Sequence, residues 1–202
     1  MKKDCFYKLD LVRKKPLQKI LLQYERTAFV DFAPHYNYYQ KMVQLYYHDN
    51  NDTEDNFTDD HNSGVPVSFE EIEELGVIYK HVTSQEELDA LAKEREYKNR
   101  DKIHLNLETF KNDVDAYNAK MKQFYTEHYH EDEEIRYIVD GEGFFDVRNK
   151  GDKWIRAKLS KNDLLILPEG IYHRFTLTNS REVTAIRLFK DEPKWEAINR
   201  VH

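Results

Sequence analysis

The sequence is poor in cysteine and in long apolar runs. Of its 202 residues only Cys5 is a cysteine, which excludes an internal disulfide and favours a reducing compartment. We therefore expect a cytoplasmic or nuclear location. The longest unbroken apolar run is the four residues 164–167, whereas a membrane-spanning helix needs about 20. No membrane partner is expected.

Positive charge is also scarce, and it is unevenly placed. Lys and Arg total 31 against 38 Asp and Glu, a net charge of −7 that argues against a nucleic-acid partner. Residues 1–41 hold nine basic and four acidic residues, whereas residues 42–202 hold 22 and 34. We expect a mobile basic extension over 1–41, resembling neither a signal nor a transit peptide. One acidic domain then spans 42–202, and Met42 is a candidate alternative start.

Apolar and aromatic side chains are present in amounts that support a folded core. Hydrophobic residues make up 40% of the chain and aromatic residues 13%. In the first half, residues 42–47 predict a strand and the polar residues 48–64 predict a solvated loop. Helices are predicted from the capping boxes that begin at Ser68 and Ser84, and over 108–125 from apolar residues at helical spacing.

After residue 126 the apolar pattern changes to a period of two. Such alternation, with turn residues between most of the segments, predicts short antiparallel strands in a sandwich or small barrel. The fold class is therefore mainly β with a few helices, which come first in the chain. The predicted strands are 127–130, 134–140, 144–149, 153–159, 164–167, 172–178 and 183–189.

The first of these segments carries a group of polar side chains on one face. Because side chains alternate along a strand, His128 and His130 point the same way, and Glu134 shares a face with Arg136. A strand that continues through a bend turns all four towards one interior. His173, in a later strand, is a further candidate for the same group.

Three imidazoles and one carboxylate form a metal-binding set. The set suits Fe(II), Ni(II), Mn(II), Co(II) or Zn(II), and two further coordination positions would remain on a six-coordinate ion. By contrast, four other histidines are not spaced to join it, and we expect them on the surface or in loops. They are His48, His61, His81 and His104.

Two of these segments resemble the paired motifs of the cupin superfamily. His128-X-His130-X-X-X-Glu134 is similar to its first motif, and Pro168-X-Gly170-X-X-His173 to its second. The second motif usually has Gly six residues before its Pro. Here that residue is Asn162, which also tolerates left-handed backbone.

A more specific resemblance is to the acireductone dioxygenases of methionine salvage, most closely the fungal-like members. It covers residues 42–200 and includes loops outside the motifs, such as Arg95–Asp101. It implies a cupin double-stranded β-helix, a jelly-roll barrel preceded by short helices. It also implies one Fe(II) or Ni(II) per chain, held by His128, His130, Glu134 and His173.

The resemblance further implies a substrate and O₂ as co-substrate, and we expect the enzyme to be a monomer. The substrate is the acireductone 1,2-dihydroxy-3-keto-5-methylthiopentene. An iron form converts it to 4-methylthio-2-oxobutanoate and formate, and a nickel form to methylthiopropionate, carbon monoxide and formate. Arg136 is our candidate for stabilising the substrate anion, with a structural salt bridge as the alternative. Phe175 and Phe124 are candidates for the pocket wall, with core packing as the alternative.

Two other functions are compatible with a cupin sequence. A non-catalytic cupin would bind a small ligand or act as an interaction module, and loss of a metal ligand would favour it. A different cupin enzyme, such as an isomerase, is disfavoured by the matching loops outside the metal motifs.

Overall fold

The computed structural model describes residues 43–190 and 196–201. The predicted basic extension of residues 1–41 lies outside the described residues. Among the residues that are described, no helix is long and apolar enough to cross a membrane.

Twelve described strands form two antiparallel sheets. They are β1 (Gln44–His48), β2 (Asn62–Pro66), β3 (Ile78–His81), β4 (Asn99–Leu105), β5 (His128–Tyr129), β6 (Glu134–Gly141), β7 (Gly143–Arg148), β8 (Trp154–Leu159), β9 (Asp163–Leu167), β10 (His173–Leu177), β11 (Val183–Phe189) and β12 (Ile198–Asn199). One sheet has the order β12-β5-β10-β7-β8-β1-β2 and the other β3-β9-β6-β11-β4. All seven strands predicted after residue 126 are present.

The two sheets pack face to face around the main core. Phe145 and Ile155 from the seven-stranded sheet meet Ile138 and Leu165 from the five-stranded sheet in one buried cluster. The far face of the five-stranded sheet is covered by the helix Gln85–Glu94. Buried on both faces, β9 reads as the continuous apolar run 164–167 rather than as an alternating pattern.

The predicted fold, mainly β with short helices ahead of the barrel strands, is confirmed, and the first half of the chain also adds strands to both sheets. β2, β3 and β4 were not predicted as strands. β2 and β4 are edge strands, and edge strands can be polar because one side faces solvent. β2 has all five residues exposed and contains Gly64 and Pro66, which weaken any sequence signal for a strand.

Three α-helices lie between residues 43 and 126: α1 (Phe69–Glu73), α2 (Gln85–Glu94) and α3 (Val114–Tyr125). The predicted caps are present, because Ser68 Oγ accepts from Glu71 N–H and Ser84 Oγ from Glu87 N–H, both at 3.2 Å. Leu88 of α2 is fully buried against the five-stranded sheet.

The single helix predicted over 108–125 is wrong. A short 3-10 turn, Glu108–Phe110, is followed by Lys111 and Asn112 at φ 56° and 61°. This left-handed backbone interrupts the helix, and α3 restarts with Asp113 as its N-cap. Consequently Val114, predicted to join the apolar stripe, is 52% exposed.

Candidate metal centre

A crossing between the two sheets brings the predicted site residues together. β5 belongs to the seven-stranded sheet and β6 to the five-stranded sheet, so residues 130–133 carry the chain from one to the other. Within the seven-stranded sheet His173 of β10 pairs directly with His128 of β5. The predicted bend and the predicted return of the later strand thus both occur here.

His128, His130, His173 and Glu134 form one cluster. The candidate ligand atoms of the three histidines all lie within 4.8 Å of one another. Glu134 Oε2 lies 3.1 Å from His130 Nε2 and 3.4 Å from His173 Nε2. The ring centroids of His128 and His173 are 4.5 Å apart.

Backbone carbonyls fix the tautomer of each ring in this cluster. The Nδ1 atoms of His128, His130 and His173 lie 2.6, 2.9 and 2.9 Å from the carbonyl oxygens of Thr126, Glu196 and Ile171. A carbonyl oxygen only accepts, so each Nδ1 carries a proton and donates it. In the neutral rings the lone pairs therefore reside on the three Nε2 atoms.

The cluster fits a divalent metal ion. His173 Nε2 is buried and has no hydrogen-bond partner among the described residues, a costly arrangement unless another group fills the position. Burial lowers the pKa of His128, which favours the neutral ring that a metal needs. Three imidazole nitrogens and one carboxylate match the donor preferences of first-row divalent ions.

Glu134 is buried yet remains ionised. Burial alone would raise its pKa, but the charge of Arg136, together with the His173 and His130 rings when these are protonated, holds that pKa well below its usual value. Arg136 Nη2 lies 3.1 Å from Glu134 Oε1. Arg136 forms an ion pair with Glu134 and also lines the cavity. Its position is therefore compatible both with a structural salt bridge and with stabilisation of a substrate anion.

The cluster opens into a cavity of about 400 Å³. Phe124 and Phe175 both line it, with ring centroids 6.1 Å apart. The same two rings also pack against the main core, so a place in the cavity wall and packing in the core do not exclude one another. The remaining wall is mostly aliphatic, and it includes Ile103, Leu105, Val183 and Ala185.

A second cation in the cavity was not found from the sequence. Arg187 of β11 lies opposite Arg136 of β6 in the strand register and also lines the cavity. Its Nε donates to Asp101 Oδ1 at 2.8 Å. Arg187 could be assigned to the cavity only from the pairing of β11 with β6. The alternation of side chains within one strand does not reveal that pairing.

His48 and His61 were expected on the surface or in loops; His61 lies in a loop and His48 ends β1, but both are buried rather than exposed. They are 3% and 8% exposed, and their rings stack with centroids 4.9 Å apart. β1 ends at His48 and β2 begins after His61, so the two rings close the loop between these strands. With Asp49 they form a second group of potential ligands. His81 and His104 are partly exposed, at 24% and 41% of their side chains.

A double-layered antiparallel fold with three histidines and one glutamate at the crossing between its sheets defines a metal-binding cupin. A family model described as the ARD/ARD' family matches residues 44–197. The chain therefore belongs to the ARD/ARD' family.

Curated relatives and a solved structure agree with this membership. The chain is 74% identical over 160 residues to "Acireductone dioxygenase" of Candida albicans, covering 79% of this chain and 90% of the relative. It is 52% identical over 161 residues to "Acireductone dioxygenase" of Saccharomyces cerevisiae, covering 79% and 89%. The structure titled "Acireductone dioxygenase from Bacillus anthracis with cadmium ion in active center" is 26% identical, with a TM-score of 0.59, covering 78% of this chain and 98% of that one.

Proposed function

We propose that this chain is a metal-dependent acireductone dioxygenase of methionine salvage. The observation that carries the proposal is the cluster of His128, His130, His173 and Glu134 facing a cavity that also holds two arginines. The relatives named above carry this activity in their names. A non-catalytic cupin is disfavoured because all four candidate ligands are present and gathered.

The metal would be a single Fe(II) or Ni(II). We assign its ligands as the Nε2 atoms of the three histidines and the carboxylate of Glu134. When bound, it supplies Lewis-acid polarisation and a template for the substrate oxygens. The intrinsic preference of nitrogen and oxygen donors favours nickel over iron, so metal supply in the cell decides which form exists.

The side chains of the cavity bind and orient the substrate. Arg136 and Arg187 line the cavity on neighbouring strands, and guanidinium groups keep their charge at working pH. They stabilise the substrate anion on the side of Glu134. The aliphatic and aromatic wall receives the methylthio tail, whose burial there removes apolar surface from water.

Loading the metal-free chain with each ion separately tests this function. With Fe(II), oxygen uptake should accompany formation of 4-methylthio-2-oxobutanoate and formate. With Ni(II), the products should be methylthiopropionate, carbon monoxide and formate. Absence of oxygen uptake in both fully metallated samples would contradict the proposal.

We also propose that residues 42–202 suffice for this activity in a monomeric, cytoplasmic or nuclear enzyme that has no nucleic-acid or membrane partner. The family match begins at residue 44, which supports a boundary near Met42. A 42–202 fragment should retain the oxygen uptake of the full chain. An inactive or unfolded fragment would show that residues 1–41 contribute.

A further inference from the structure

The outer face of the seven-stranded sheet carries a buried group of charges directly behind the metal centre. Side chains alternate along β10, so His173 faces the cavity and Arg174 faces the other side. Arg174 pairs in register with Asp146 of β7, and Arg156 of β8 lies beside them. We call Asp146, Arg156 and Arg174 the outer ion cluster; they are 1%, 0% and 8% exposed.

Asp146 joins the two arginines of this cluster. Its carboxylate accepts from Arg156 Nε at 2.6 Å, from Arg156 Nη2 at 2.9 Å and from Arg174 Nε at 2.8 Å. Burial alone would raise the pKa of Asp146, but these arginines hold that pKa below its usual value. The carboxylate therefore stays charged and cross-links β7, β8 and β10.

Arg174 also ties the cluster to segments outside the sheet. Its Nη1 donates to Asp52 Oδ2 at 3.0 Å, and its guanidinium lies 4.0 Å from the Tyr125 ring and 4.5 Å from the Trp154 ring. The Tyr125 hydroxyl donates to the same Asp52 oxygen at 2.8 Å. Tyr125 ends α3, three residues before His128.

On the cavity side, fewer contacts hold the His173 ring. Nδ1 donates to the Ile171 carbonyl, and the ring packs against the rings of His128 and His130. His173 is also the first residue of β10, and its backbone pairs with His128 of β5 and Val147 of β7. The neighbouring Arg174 makes more hydrogen bonds through its side chain than His173 does.

Stability alone does not account for three buried charges. Replacing buried ion pairs by apolar side chains of similar volume is often neutral or stabilising. A planar guanidinium with several directed donors instead supplies fixed geometry. Geometry is also what a metal site needs, because the groups that orient its ligands affect metal affinity.

We propose that Arg174 is a positioning residue for the metal centre: it fixes the backbone of His173 directly and, through its contacts with Tyr125 and Asp52, the approach to His128. The proposal rests on the metal centre assigned above. Arg174 touches neither metal nor substrate, so its effect is on ligand placement rather than on the reacting atoms.

Two variants and one matched control test this role. Arg174→Lys keeps the positive charge but removes the planar guanidinium group and its directed N–H donors. Asp52→Asn is a milder change, because Asp52 lies in a partly exposed loop. The control is Asp163→Asn in β9 of the other sheet. Asp163 is also 1% exposed and accepts from Tyr79 Oη at 2.7 Å and Ser160 N–H at 2.8 Å.

The readouts are the Ni(II) dissociation constant, measured by competition with a chromophoric chelator, and the thermal midpoint without metal. Arg174→Lys should raise the dissociation constant about 10-fold, in the range found when groups that orient metal ligands are removed. Asp52→Asn should raise it less. The control should lower the thermal midpoint and leave the dissociation constant unchanged. The absorption bands of bound Co(II) should shift in Arg174→Lys and not in the control.

An unchanged dissociation constant in both Arg174→Lys and Asp52→Asn would overturn the positioning role, as would an equal rise in the control. If Arg174→Lys does not fold, Asp52→Asn decides alone. An unmodified chain that binds neither Ni(II) nor Fe(II) would overturn the proposed function as well. A failure of the positioning role and a failure of the metal centre are thus distinguishable.

Discussion

Two histidine clusters in this chain look alike by distance and differ in hydrogen bonding. The first, His128, His130 and His173, has every Nδ1 donating to a backbone carbonyl and its Nε2 atoms gathered near Glu134. The second joins His48, His61 and Asp49 at similar separations. Proximity alone therefore does not identify a metal centre.

The ring nitrogens of the second cluster are already used. His61 Nδ1 lies 2.9 Å from Asp49 Oδ1, and its Nε2 lies 2.9 Å from the Asn56 carbonyl. Asn50 N–H donates to His48 Nδ1 at 2.9 Å. Burial lowers the pKa of His48 to about 4, so this ring is neutral at pH 7. The lone pairs do not converge on one point, and the cluster instead closes a loop.

The largest expected effect comes from removing one ring from each cluster. His173→Ala should raise the Ni(II) dissociation constant by more than the roughly 10- to 100-fold typical of losing a group that only orients a ligand. His61→Ala, the matched variant, should leave that constant unchanged. Metal analysis after dialysis and chelator competition measure both. If His61→Ala loses as much metal as His173→Ala, the claim that only the first cluster binds metal is contradicted.

The second expected effect separates metal binding from substrate binding within the first cluster. Arg136→Met removes a cation that lies in the cavity beside Glu134. We expect kcat/KM to fall about 100-fold, the scale seen for losing one preorganised donor, in samples with full metal content. Steady-state oxygen uptake measures it. Unchanged kcat/KM would favour a purely structural salt bridge.

A smaller effect is expected when His61 is removed from the second cluster, and it concerns the free energy of unfolding rather than metal binding. His61→Ala leaves Asp49 and the Asn56 carbonyl without their ring partner, which should lower the free energy of unfolding by about 1–3 kcal/mol. Denaturant unfolding of the metal-free chain measures this loss. An unchanged free energy of unfolding would show that the stacked pair does not stabilise the loop.

The smallest effect is expected in acid. The pKa of Glu134 lies well below its ordinary value, and that of Asp49 is lowered too, because partners of each carboxylate outweigh its burial. A depressed pKa contributes stability above the unfolded pKa, about 4, which is lost as pH falls through the folded pKa. Glu134→Gln and Asp49→Asn should each flatten this acid loss, measured by denaturant unfolding of the metal-free chain. An acid loss as steep as in the unmodified chain would contradict the direction of these shifts.

The sequence was most informative where one strong pattern was sufficient. Period-two alternation, and for β9 a continuous apolar run, located the seven later strands, and the alternation of side chains placed His128 and His130 on one face. Asn162 stands at φ 76°, as its motif position suggests. These features depend on neighbouring residues, so a single sequence contains them.

Features that depend on distant partners were missed. Arg187 reaches the cavity only because β11 pairs with β6, and β4 is a strand because it pairs with β11. His48 and His61 are polar residues in a polar stretch, so nothing local predicted their burial. The break at Lys111 reflects left-handed backbone at a lysine, a residue type that is common inside helices.

The crossing of residues 130–133 has one more consequence. A metal held by His128 and His173 of one sheet and Glu134 of the other would cross-link the two layers of the sandwich. In a chain whose one cysteine allows no internal disulfide, such an ion would add a cross-link between the layers beyond the backbone itself. Its release would cost kinetic stability as well as activity, so the metal-free chain should be the form that proteases attack first.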